Sequence, residues 1–173
     1  MNVRDFDSLG SSMDIREFDS TTVAKTPSYF PTVEEFLHAA KYMPTLCVDF
    51  VIMSCKDDRV YLGDRGIPPC IGWSFIGGRR YAYETLAISV RRILQNEMGL
   101  LHANYLCRFI SCSEVQWDSR HDVVWTYVMY MPQDDIENTI LSIPEYRNPK
   151  LVAYEPTMEF HPYHAAVLKQ LLV

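Results

Sequence analysis

One stretch near the middle of the chain spaces its glycines, acids and arginines in a way suited to gripping a metal-bound phosphate. Gly77 and Gly78 are followed after five residues by Glu84, after seven more by Arg92, and then by Glu97, Gly99 and Leu100. On a helical wheel at about 100° per residue, with Glu84 at zero, Leu86, Val90, Ile93 and Leu94 form an apolar band, and Glu97 falls inside it. A carboxylate on the core side of a helix is costly unless it is paired or bound to a cation. Two readings follow. Either the helix frays before Gly99 and Glu97 reaches solvent, or Glu97 is an oxygen ligand for Mg²⁺, which is commonly held by only one or two protein carboxylates together with phosphate oxygens and water. Glu84 and Arg91 or Arg92, two helical turns apart, suit an ion pair that supports the loop against the helix. Arg65, Arg79 and Arg80 border glycine-containing turns, where a guanidinium can fork onto phosphate oxygens; the plainer alternative is a set of surface arginines.

The elements that position these groups read as follows. Thr32 with Glu35 three residues on has the form of a capping box, and Phe36, Leu37, Ala40 and Met43 give the apolar stripe of a helix that Pro44 ends. Residues 46–53 and 60–62 predict a hairpin turning at Lys56–Asp58. Residues 66–72 are a loop, 73–76 a short strand leading into the paired glycines, and 83–98 a helix stopped at Gly99. Further strands are predicted at 105–112, 123–131 and 151–154, with helices at 134–141 and 156–172. Strands gathered around a few helices predict an α/β sandwich with a mixed central sheet.

At 173 residues, 48% hydrophobic, the chain is long enough for one sizeable core. Residues 1–30 are polar and read as an N-terminal arm, in which Val3–Ser8 is echoed by Ile15–Ser20; residues 31–173 read as one domain. No apolar run approaches the roughly 20 residues needed to span a bilayer, and the acidic N-terminus lacks the layout of a secretory leader, so a cytoplasmic protein without a membrane partner is expected. Five cysteines, none at zinc-knuckle spacing, predict thiols rather than disulfides or ligands. A net charge of −6 argues against a nucleic-acid partner.

The frame from Gly77 to Leu100 resembles the Nudix box, and the likeness is sharper to the GDP-mannose mannosyl hydrolase branch, which also lacks the acids replaced here by Ile93 and Asn96. Residues 43–52, Leu62–Arg65 and Gly72–Arg79 resemble that branch's first strand, second strand and approach to the box. The resemblance implies a Nudix α/β/α sandwich, Mg²⁺ on the Gly77 carbonyl and Glu97, and structural support from Glu84 and Arg92. Arg65 and Arg79 would neutralise a diphosphate leaving group, with Arg80 among the substrate-binding arginines. Asp49 would stabilise charge developing on a sugar. Water would attack the sugar's anomeric carbon, and the nucleoside diphosphate would leave intact. A homodimer is implied by the same analogy. The branch's late Gln-His pair has no counterpart: residues 142–147 hold Glu145 but no histidine, and His121 precedes a strand. The expected function is therefore a Mg²⁺-dependent hydrolase of a nucleotide sugar. The alternative is a Nudix-fold protein that binds a nucleotide or a partner without turnover, and a third reading is cleavage of a P–O–P bond.

Overall fold

The computed structural model describes residues 32–68, 70–81, 84–100, 105–118, 120–141 and 144–172. The N-terminal arm expected at residues 1–30 lies outside them.

The capping box forms at the start of helix α1 (Val33–Ala40): Thr32 Oγ1 accepts from the Glu35 amide and Glu35 Oε2 accepts from the Thr32 amide, both at 3.1 Å. This helix ends before Pro44, because the amides of Tyr42 and Met43 both turn back onto the Ala39 carbonyl. Strand β1 (Thr45–Ser54) follows, then β2 (Val60–Arg65), β3 (Gly72–Ser74) and β4 (Ile76–Arg79). The short strand expected at 73–76 is in fact two. β3 pairs with β2, β4 pairs with β1, and buried Phe75 is the corner between them.

Helix α2 (Leu86–Met98) begins three residues later than the apolar periodicity indicates. Thr85 is its N-cap, accepting from the Ile88 amide, and so fixes the start. Gly99 ends it in the left-handed conformation at φ 68°, with its amide on the Gln95 carbonyl and that of Leu100 on the Leu94 carbonyl. The long antiparallel pair β5 (Leu106–Gln116) and β6 (His121–Met131) comes next, with a bulge near Phe109, then α3 (Gln133–Asn138), β7 (Val152–Ala153) and α4 (Pro162–Leu171). The last helix starts at 162 and not 156, since proline suits only its first turn and the His161 side chain accepts from the Tyr163 amide.

The sheet order is β3-β2-β1-β6-β5, with β4 also on β1 and β7 on β2. Strand β1 is the axis. One edge runs parallel to β6 over ten residue pairs; the other edge is divided, with Cys47–Phe50 facing β4 and Ile52–Met53 facing β2. Successive side chains of a strand alternate between faces. Val48, Phe50 and Ile52 accordingly pack on Val90, Ile93, Leu94 and Met98 of α2, while Val51 packs with Val167 and Leu168 of α4. The result is a mixed sheet between flanking helices, an α/β/α sandwich. No helix among the described residues is long and apolar enough to cross a membrane, and the five cysteines are unpaired thiols.

Candidate functional site

Three segments meet where the second edge of β1 divides. The first is α2 with the glycine pair of β4. Gly78 faces the helix so closely that a Cβ there would stand 3.4 Å from Ile93 Cγ1 and 3.5 Å from Glu97 Oε1. Glu97 therefore turns inward toward the glycines, on a helix that holds its geometry to Met98 instead of fraying. Burial, then the negative charge of Glu145, pushes the Glu97 carboxyl up to about 8, partly offset by Arg65. Gly77 faces the other way. A Cβ there would collide with Asp49 Oδ1 and come within 2.5 Å of the Val48 carbonyl oxygen, so only glycine fits beside this part of β1.

The junction between β4 and α2 is held by Glu84. Its carboxylate accepts from Arg92 Nε at 2.5 Å, Arg92 Nη2 at 2.8 Å, the Tyr81 amide at 2.9 Å and Ser89 Oγ at 2.8 Å. Burial opposes the charge, yet these hydrogen bonds outweigh it and hold the carboxyl below its ordinary value. Arg92 also donates to the Arg79 carbonyl at 2.6 Å and lies 3.7 Å over the Tyr81 ring. Of the two candidate partners, it is thus Arg92 that pairs with Glu84.

The second segment is the loop around Tyr146, stitched onto the end of β2. The Gly66 amide donates to the Glu145 carbonyl and the Arg147 amide to the Asp64 carbonyl, both at 2.7 Å. This pairing sets the Glu145 carboxylate on Arg65 in an ion pair. It also turns the Tyr146 hydroxyl toward Glu97 Oε2 at 3.5 Å. Gly63 makes room for the buried Tyr146 ring, since a Cβ there would lie 2.8 Å from Cδ1. Burial raises the Tyr146 phenol well above its usual value, as do the charges of Glu97, Asp49 and Glu145, while Arg65 acts against them. The phenol thus links the loop that carries Glu145 to Glu97 on α2.

The third segment is the α4 face. Asp49 leaves β1 on this side, with His164 Nε2 at 3.6 Å from Oδ2. His164 Nδ1 in turn lies 3.7 Å from Cys70 Sγ. Burial would lower the His164 imidazole, but hydrogen bonds with Asp49 and Cys70 outweigh it and raise it to about 9. Tyr163 shares a short hydrogen bond, 2.5 Å, with Thr126 Oγ1.

Arg79 pairs with Cys47 across β1 and β4, and so belongs to the Asp49 side; burial lowers its guanidinium, and the charge of Glu145 reaches it. Arg80 is placed differently from Arg65. It donates through Nη2 to the Glu84 carbonyl at 2.9 Å and lies 4.9 Å over the Trp125 ring, with Nε lacking a partner among the described residues. His121 lies on β6 beside Glu114 of β5, within 3.6 Å. Tyr146 and His164 were not singled out from the sequence. Tyr146 lies inside the 142–147 segment, which holds no histidine, and His164 sits in an ordinary helical pattern, so only the fold reveals what they touch.

The donors suit a hard divalent cation. Glu97 offers a carboxylate oxygen at the paired glycines, and Glu145 is a second carboxylate whose charge acts against it in the way a cation relieves. Among the described residues no three His, Cys, Asp or Glu side chains gather as a ready-made metal cage.

The architecture is the Nudix fold. The chain is similar to the NUDIX domain of Shewanella oneidensis NrtR, solved with ADP ribose: 18% identity, 82% of this chain and 97% of that one, TM-score 0.61. A MutT NUDIX hydrolase from Burkholderia pseudomallei gives 17% identity over 75% of this chain and 98% of the other, TM-score 0.60. The MutT protein from Methanosarcina mazei Go1 gives 16%, 75%, 94% and 0.57. No family model and no curated protein matches the sequence.

Proposed function

We propose that the protein is a Mg²⁺-dependent hydrolase of a nucleoside diphosphate sugar, releasing the sugar and an intact nucleoside diphosphate in the manner of GDP-mannose mannosyl hydrolases. The observation that carries this is the inward Glu97 carboxylate, held at the glycine pair among Arg65, Glu145 and Tyr146. The ADP ribose bound to the NrtR domain supports a nucleotide sugar as the ligand class.

Glu97, Glu145 and the Gly77 carbonyl would hold the cation. When bound, it supplies positive charge beside the diphosphate oxygens. Arg65 and Arg79 supply the rest, and such fixed charge aimed at a leaving group is where most of the rate enhancement arises. Asp49, its carboxylate oriented by His164, would stabilise the charge that develops on the sugar. Cleavage of a P–O–P bond is less well supported, because two of the box acids that such chemistry recruits are missing: Ile93 is sealed in the core and position 96 is asparagine.

Incubation with Mg²⁺ and a panel of sugar nucleotides tests the proposal. Free sugar and nucleoside diphosphate are expected, and Glu97→Gln should abolish their release. Nucleoside monophosphate with sugar phosphate would point instead to P–O–P cleavage. Binding without turnover would favour the second reading, a nucleotide-binding Nudix-fold protein, which the loop without a histidine specifically suggests.

A further inference from the structure

We propose that Cys70 is a peroxide-reactive thiol, with His164 as the base that takes its proton and Asp49 as the carboxylate that holds the base. Nothing in this chemistry requires Mg²⁺ or a nucleotide. It is a second reactivity of the chain, and it shares only Asp49 and His164 with the hydrolytic site proposed above.

Three elements supply the three side chains. Cys70 comes from the loop between β2 and β3, His164 from the first turn of α4, and Asp49 from β1. The Cys70 Sγ lies 3.7 Å from His164 Nδ1, and His164 Nε2 lies 3.6 Å from Asp49 Oδ2, so the two ring nitrogens are divided between sulfur and carboxylate. A carboxylate can only accept, so the ring hydrogen on that side stays on Nε2 and Nδ1 is left to deal with the thiol proton. The ring is held in this orientation. It is 4% exposed and packs between Phe75 and Tyr163, with ring centroids 4.6 and 5.0 Å away. A nucleophile within reach of a base that a third group orients is the general arrangement for activating a side-chain thiol or hydroxyl.

The remaining cysteines give the contrast. Cys47 and Cys107 are buried, and burial raises both thiols, that of Cys107 to about 12, which makes them inert. Cys55 and Cys112 are exposed. Among the described residues, Cys70 is the cysteine whose sulfur meets an imidazole. It is 7% exposed, in a loop whose Ile67 and Ile71 face solvent, so an oxidant as small as hydrogen peroxide has a short way in.

The step balances without a further reactant. Sulfur attacks one peroxide oxygen, the S–O bond forms as the O–O bond breaks, and the sulfur gives up the two electrons that reduce the peroxide. The thiol proton, held on Nδ1, passes to the departing hydroxide and leaves as water. The product is a sulfenic acid at Cys70, which thiols reverse.

The test treats the reduced full chain with hydrogen peroxide for increasing times, quenches it, and unfolds it in urea with excess dimedone, which caps sulfenic acids. Unfolding before capping lets the bulkier reagent reach every sulfur, and mass spectrometry then reads each cysteine. Cys70 should be oxidised about tenfold faster than the exposed Cys55 and Cys112, the reverse of the order that exposure alone would give. His164→Gln should bring Cys70 below both, and Asp49→Asn should slow it about threefold. Oxidation of Cys47 and Cys107 reports any loss of folding in a variant; should a variant unfold, the wild-type order decides alone. The proposal is overturned if wild-type Cys70 reacts no faster than Cys55 and Cys112. It is equally overturned if Cys70 keeps its rate in a His164→Gln protein whose Cys47 and Cys107 stay protected.

Discussion

Arg92 clasps Glu84 with two nitrogens, Nε on Oε1 and Nη2 on Oε2, while the same Nη2 reaches the Arg79 carbonyl. The Glu84 side chain is 1% exposed and that of Arg92 21%. One ion pair thus fixes the strand that carries the glycines against the helix that carries Glu97. Removing one partner strands the other in a buried setting, so Arg92→Ala should destabilise the fold by about 3–5 kcal/mol. Glu84→Gln should cost less, because an amide keeps part of the hydrogen bonding. Denaturant unfolding measures both. Acid should expose the same dependence: the Glu84 carboxyl is held below its unfolded value, so its contribution is present above the unfolded pKa and is lost as pH falls through the folded one.

The two glycines should respond in opposite ways. Gly77→Ala forces a methyl into Asp49 and the Val48 carbonyl and should prevent normal folding or lower stability by about 3 kcal/mol or more. Gly78→Ala meets only ordinary contact distances at Ile93 and Glu97. It should fold with a thermal midpoint near wild type, yet weaken Mg²⁺ binding by narrowing the space before Glu97. Thermal melts with and without Mg²⁺ separate the two outcomes.

Glu97 trades stability for ligand binding. Burial and Glu145 hold its carboxyl near 8, above the ordinary 4.5, so the ionised form is disfavoured in the fold and the folded state is penalised increasingly as pH rises from the lower value to the higher. Glu97→Gln relieves that penalty. At about pH 8 the variant should be more stable than wild type without metal, on the order of 2 kcal/mol, and should lose all stabilisation by Mg²⁺. Equal loss of stability with and without metal would show that the carboxylate serves packing alone.

His164 gives the opposite dependence on pH. Its imidazole is raised from 6.5 to about 9 by Asp49 and Cys70 against the effect of burial. A raised histidine contributes stability that is complete below 6.5 and is lost as pH climbs through about 9. The other ionisable groups packed on α4 include His161, Tyr163 and Cys47. The unfolding midpoint should therefore fall on the alkaline side of neutrality, and His164→Gln should flatten that fall. If Asp49 acts on the sugar, the same variant should lower kcat more than it raises KM.

The parts of this molecule legible in the sequence are those written in local chemistry. Thr32 with Glu35 announced one helix start, and Gly99 one helix end. The position of Glu97 within the apolar band of its helix pointed to an inward carboxylate, as the structure has it. Starts governed by a single cap were harder, because Thr85 and Pro162 each cut short an apolar pattern that extends further upstream. The change of partner at Phe75 needs two strands distant in sequence and leaves no local mark. Tyr146 and His164 acquire meaning only from neighbours roughly 50 and 115 residues away, Glu97 and Asp49.

The full-length parallel pairing of β1 with β6 also determines when this chain can fold. Thr45 meets Asp122 and Ser54 meets Met131, so the innermost strand waits for a partner made more than seventy residues later. During synthesis the first hairpin, the glycine pair and the α2 helix all emerge before the segment that completes their sheet. Long-range pairings of this kind bear the loop-closure entropy before any contact repays it. Refolding should accordingly be slow, and truncation ahead of residue 131 should leave a nascent chain dependent on chaperones.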